Sequence, residues 1–98
     1  MSDAGPHTEI RTRCRFQGRV QGVGFRYTTT SLSRKYRVTG YVMNCPDGSV
    51  ELVAEGKWAE VSQFVSDVQQ TFAKQITECE QDEQPSIGEF ADFRIQYA

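Results

Sequence analysis

The run Gly18-Arg19-Val20-Gln21-Gly22-Val23-Gly24-Phe25-Arg26 gathers the residue types that hold an anion. Three glycines fall within seven residues, after a strand-like segment and directly before a helix-like one. Glycine lets the backbone turn its N–H groups inward, and a helix N-terminus adds partial positive charge. Arg26, in what would be the first helical turn, brings a planar guanidinium able to hold two phosphate oxygens at once. The ligand expected in the loop formed by Gly18, Arg19, Val20, Gln21, Gly22, Val23 and Gly24 is therefore a phosphate group. Two nucleotide motifs are excluded. The loop lacks the closing Gly-Lys-Ser/Thr of a P-loop, and it lacks G-x-G-x-x-G with a ribose-binding acid at the dinucleotide spacing.

A second run, Gly40-Tyr41-Val42-Met43-Asn44-Cys45-Pro46-Asp47-Gly48-Ser49-Val50, is followed after five residues by Gly56. Together the two runs resemble the paired signatures of the acylphosphatases, small enzymes that hydrolyse the carboxyl–phosphate anhydride. The separation of Arg26 from Asn44 also matches the family's arginine and asparagine. The resemblance extends from about residue 10 to the C-terminus, where Phe93-Arg94-Ile95-Gln96-Tyr97 looks like the family's closing strand. It implies that Arg26 and the N–H groups of the loop bind the phosphoryl oxygens, while the Asn44 amide orients the attacking water. Two positions depart from the pattern. Phe16 stands where an aliphatic residue is more usual, and Cys45-Pro46 stands where a small hydroxyl residue is common.

The chemistry asks little of acid catalysis, because a carboxylate is already a good leaving group. Positioning and charge stabilisation suffice. The only histidine, His7, lies near the N-terminus, so a histidine base or metal site is not expected, and no metal or other cofactor is called for. Cys14, Cys45 and Cys79 show no C-x-x-C spacing, which argues against a disulfide framework and a structural zinc site. Inorganic phosphate is the expected product and a competitive inhibitor.

Net charge is −2, which disfavours a nucleic-acid partner, but the charge is uneven. Residues 1–50 carry eight basic and three acidic side chains, and residues 51–98 carry three basic and ten acidic ones. The loop lies in the positive half, where the field would draw in an anionic substrate. Ninety-eight residues suit one domain, expected over residues 10–98 behind a flexible tail of residues 1–9. No apolar run approaches the roughly 18 residues of a membrane span, and the polar N-terminus does not read as a secretory leader. A cytoplasmic monomer is expected.

Elements that would position these groups follow from periodicity. Residues 10–17 alternate Ile10, Thr12, Cys14 and Phe16 with Arg11, Arg13, Arg15 and Gln17, as a half-buried strand does. Phe25, Thr29, Leu32 and Tyr36 mark one face of a helix over 25–36, with Arg34 and Lys35 near its C-terminal end. A strand over 38–44 turns through Pro46-Asp47-Gly48 into a strand over 49–55, with Val50, Leu52 and Ala54 on its inner face. Trp58, Val61, Phe64, Val65, Val68 and Phe72 mark a second helix, followed by a strand over 76–82, a loop over 84–89 and a short strand over 91–97. The order is βαββαβ plus a C-terminal strand, an α+β, ferredoxin-like sandwich with two helices on one face of a sheet.

Two other classes share parts of this pattern. An RNA-recognition module has the same element order but stacks bases on aromatics of its third strand, which has none here and carries two glutamates. A regulatory domain that binds an anion without turnover would be separated from an enzyme by assay.

Overall fold

The computed structural model of the protein describes residues 8–97. Its elements are β1 (Glu9–Gly18), α1 (Phe25–Ser33), β2 (Val38–Asn44), β3 (Val50–Lys57), α2 (Trp58–Thr71), β4 (Ile76–Pro85) and β5 (Phe93–Gln96). Five strands form one sheet in the order β4-β1-β3-β2-β5. Both helices pack on the face presented by Ile10, Cys14, Phe16, Val42, Val50, Leu52 and Ala54. This is the ferredoxin-like sandwich expected from the order of elements. The tail expected over residues 1–9 lies largely outside the described residues, and Glu9 is already the first paired residue of β1, opposite Lys57.

Because β1 and β2 both run antiparallel to β3, their C-terminal ends lie at the same edge of the sheet. Phe16 and Asn44 share one partner, Val50, from opposite sides. The loop that leaves β1 and the residue that ends β2 are therefore two strand spacings apart, about 10 Å. Chain reversal at Cys45–Ser49 is closed by Cys45 N–H to Ser49 O (2.8 Å) and Gly48 N–H to Cys45 O (3.1 Å). Asp47 Oδ1 accepts from both the Ser49 N–H and hydroxyl, which sets the turn from its own sequence.

Three rings hold the start of α1. Phe25, its first residue, stacks on Phe72 with centroids 4.2 Å apart and meets Phe16 at 5.3 Å. Full burial of such a ring contributes about 1.5–3 kcal/mol. Phe16, one of the two departures from the pattern that the sequence resembles, is thus part of the packing beneath the loop.

Several boundaries differ from the sequence reading for physical reasons. α1 ends at Ser33, not Tyr36, because the N–H groups of Arg34, Lys35 and Tyr36 bond three residues back, tightening the chain out of the helix. Tyr36 still reaches the core, with its ring 5.9 Å from that of Phe64. Lys35 pairs with Asp67 at 3.4 Å. β4 continues to Pro85, because β1 pairs with it from Ile10 onward, so the first part of the expected 84–89 loop is strand. Trp58 begins α2 rather than lining its apolar face and is 44% exposed.

The largest difference concerns the outer face of β3. Glu51 and Glu55, which alternation puts opposite the inner face of Val50, Leu52 and Ala54, are 7% and 3% exposed. β3 is central, and the chain after β4 folds back over it. The Glu55 carboxylate accepts from Ser86 Oγ (3.1 Å), Ile87 N–H (3.1 Å), Gly88 N–H (3.0 Å) and Arg11 Nη1 (3.2 Å). Glu51 accepts from Arg13 Nε and the Tyr41 hydroxyl. Arg11 and Arg13 of the outer face are thereby paired with buried glutamates, while Arg15 faces the exposed Asp47 at 3.5 Å.

Candidate active site

A pocket of about 230 Å³ opens at the sheet edge where β1 and β2 end, lined by Val20, Gly22, Gly24, Phe25, Arg26, Tyr27 and Asn44. The loop above it leaves β1 at a close approach of two backbones. Gly18 has φ +125°, and a Cβ there would overlap the Gln75 carbonyl oxygen. Directly beside it the β1–β4 register shifts between Gln17 and Gly18, and Arg19 N–H donates to Gln75 O at 2.9 Å. This part of the loop is committed to the sheet edge. Gly18, Arg19, Gln21 and Val23 are absent from the pocket lining, whereas Val20, Gly22 and Gly24 belong to it.

The loop enters α1 through Gly24, whose φ of 77° is left-handed and strained for any residue with a Cβ. Among the described residues no side chain caps this helix, and its first turn holds no acid. The leading N–H groups of α1 and its dipole are thus left to face whatever the pocket holds. Arg26 follows as the second residue of the helix, its guanidinium carbon 5.4 Å from the centroid of the Tyr97 ring. A cation over an aromatic face is attracted at about 0.5–1 kcal/mol at exposed sites.

Asn44 comes to the pocket from the other side. Alternation along β2 puts it on the same face as Gly40 and Val42, the face that the helices cover. Its Oδ1 is buried and takes no hydrogen bond from the described residues. A buried acceptor without a partner costs about 1–3 kcal/mol unless a bound molecule satisfies it. Arg26 and Asn44, 18 positions apart in the chain, therefore line one pocket, a cation on one wall and an acceptor on the other.

Three further contributions to the site emerge from the structure. Tyr97 lies over Arg26 only because β5 pairs in parallel with β2. Tyr27 lines the pocket, and its place directly after Arg26 in the first helical turn was the available signal. Gln21, whose sequence position suggests a backbone role with an amide also able to brace the loop, uses that amide: Nε2 donates to Cys45 O at 2.9 Å and Ser49 O at 2.8 Å.

Cys14 and Cys79 both face the core but are offset along the β1–β4 pair, Cys79 standing opposite Phe16 and Cys14 opposite Gln81. Burial, with a smaller contribution from Cys79, pushes the Cys14 thiol well above its ordinary range, so it is no nucleophile. Among the described residues no group of three or more His, Cys, Asp or Glu side chains converges as metal ligands would, and no helix is long and apolar enough to cross a membrane.

Comparison with known proteins agrees with this geometry. A sequence model of the acylphosphatase family matches residues 12–95. An acylphosphatase of Bacillus licheniformis is 38% identical over 90 residues, covering 90% of this chain and 99% of that protein. One from Paenarthrobacter aurescens is 41% identical over 87 residues, 88% of this chain and 93% of its own length. The crystal structure of acylphosphatase from Bacillus subtilis superposes with a TM-score of 0.81 at 33% identity, covering 90% of this chain and 99% of that one. Family match, near-complete relatives and shared fold all include the loop and the strand end that meet at the pocket, and the chain belongs to the acylphosphatase family.

Proposed function

We propose that the protein is an acylphosphatase that hydrolyses the carboxyl–phosphate anhydride of small acyl phosphates to carboxylate and inorganic phosphate. The observation that carries this reading is the convergence of Arg26, the uncapped N-terminus of α1 and Asn44 on one pocket. N–H groups of the loop and helix start, with the Arg26 guanidinium, bind the phosphoryl oxygens and stabilise charge as the bond to the leaving carboxylate lengthens. Asn44 Oδ1 accepts a hydrogen bond from the attacking water and aims its oxygen at phosphorus, opposite the leaving group. Substrate oxygen takes up the proton that the water releases. The carboxylate departs without protonation, so the chain needs no general acid.

Inorganic phosphate offers the pocket the same oxygens without a carboxylate to expel, and it inhibits by competition. Every group in this scheme comes from one chain, which supports action as a monomer. The three thiols without pairing motifs suit the reducing cytoplasm. The direct test is phosphate release from benzoyl phosphate and acetyl phosphate, with a phosphate monoester as control. Turnover of both anhydrides and not of the monoester is expected. Phosphate binding without turnover would instead mark an anion-binding regulatory domain.

A further inference from the structure

Gln21 joins the two halves of the site. Its single Nε2 donates to Cys45 O at 2.9 Å and to Ser49 O at 2.8 Å, using both amide protons. These carbonyls already accept from the turn's own backbone, Cys45 O from Gly48 N–H and Ser49 O from Cys45 N–H. Gln21 is therefore not required to satisfy them, since a carbonyl oxygen with one donor is paired. What the amide adds is a link. Among the described residues it is the only side chain between Gly18 and Gly24 that hydrogen-bonds the β2–β3 turn, and Cys45 is the residue directly after Asn44.

We infer that Gln21 is a positioning residue that sets the distance between the phosphate-binding loop and Asn44. The start of α1 and Arg26 are held separately, by the packing of Phe25 on Phe72 and Phe16. The part of phosphate affinity that Arg26 and the start of α1 supply thus persists without the Gln21 side chain, while the alignment of the Asn44-held water with phosphorus depends on it. A displacement of this kind costs rate rather than binding. The inference rests on the assignment of Asn44 as the water-holding residue.

The test is Gln21→Met, which keeps the side chain's length and removes both donors, compared with wild type, Asn44→Ala and the double variant. With benzoyl phosphate as substrate, Gln21→Met should lower kcat on the order of tenfold or more. Inhibition by inorganic phosphate should stay within about twofold of wild type. In the Asn44→Ala background the same change should cost less than about twofold, because the group that Gln21 positions is already gone. Unchanged kcat at a temperature well below the melting point, a full loss repeated without Asn44, or a parallel loss of phosphate inhibition each overturns the inference.

A measurement on the wild-type protein covers the case in which the variant does not fold. Both Gln21 side-chain amide protons should exchange slowly with solvent by NMR, and exchange at the rate of a free amide removes the link. Wild-type protein inactive on every acyl phosphate would strike the proposed function itself. An active wild type with an indifferent Gln21→Met strikes only this inference.

Discussion

The Arg26 guanidinium carbon lies 5.4 Å from the centroid of the Tyr97 ring, so the chain just past the last strand reaches the first turn of α1. The ring restrains a long, flexible cation while leaving the edge of the guanidinium free for phosphoryl oxygens. Arg26→Lys keeps the charge and loses both the planar stack and the two-toothed contact proposed for the phosphoryl oxygens. A loss in kcat/KM on the order of 10²-fold or more is expected, with weaker inhibition by phosphate as well. A lysine variant with near-normal values of both would reduce Arg26 to a surface charge.

Asn44→Ala should separate binding from chemistry. Asn44 Oδ1 has no partner to lose among the described residues, so the fold should be retained, and phosphate inhibition should change little. Most turnover should disappear, a fall in kcat on the order of 10²-fold, as for other groups that act only in the transition state. Steady-state kinetics with phosphate as inhibitor read both quantities, and retention of most of the wild-type kcat refutes the water-holding role.

Activity should be indifferent to chelation. In the proposed mechanism the negative charge on the phosphoryl oxygens is met by N–H groups and guanidinium, and the described residues that line the pocket include no carboxylate or imidazole. Dialysis against EDTA followed by assay checks this. Loss of activity with recovery on adding magnesium or zinc would require a different mechanism.

Glu55 gives a pH-dependent stability. Burial works to raise its pKa, but donors from Ile87, Ser86, Arg11 and Gly88 outweigh burial and hold the carboxyl below its usual range. A folded-state pKa below the unfolded one stabilises at pH above the unfolded value of about 4.3. That contribution disappears as pH falls through the folded value. Glu55→Gln should cost about 1–3 kcal/mol at neutral pH. The gap from wild type should narrow as pH falls from roughly 5 towards 3. Urea unfolding at a series of pH values measures it, and a gap independent of pH contradicts the assignment.

Much of the architecture was legible because its signals sit in consecutive residues. Alternation over Ile10, Thr12, Cys14 and Phe16 marks β1, and all four are buried on the inner or paired face as the period requires. β2 was bounded to the residue, since the Pro46-Asp47-Gly48 turn must end it. The Gly18–Gly24 cluster with Arg26, and Asn44 just before the turn, named the residues that the fold brings to one edge. Glycine torsions, turn chemistry and helical or strand periods are local properties, and a linear reading is enough for them.

Only the tertiary structure decided which segments cover one another. Glu51 and Glu55 are buried because residues 86–88 and the β1 arginines close over a strand that is central in space, although neither segment adjoins it in the chain. β4 runs to Pro85 because β1 continues to pair with it. Tyr97 meets Arg26 through the parallel pairing of β5 with β2, and the Gln21 amide finds carbonyls 24 and 28 residues away. The common reason is physical. A buried carboxylate, an edge strand or a side-chain amide takes whichever donor or acceptor the fold brings within about 3 Å, and contacts between distant segments leave no period in the sequence.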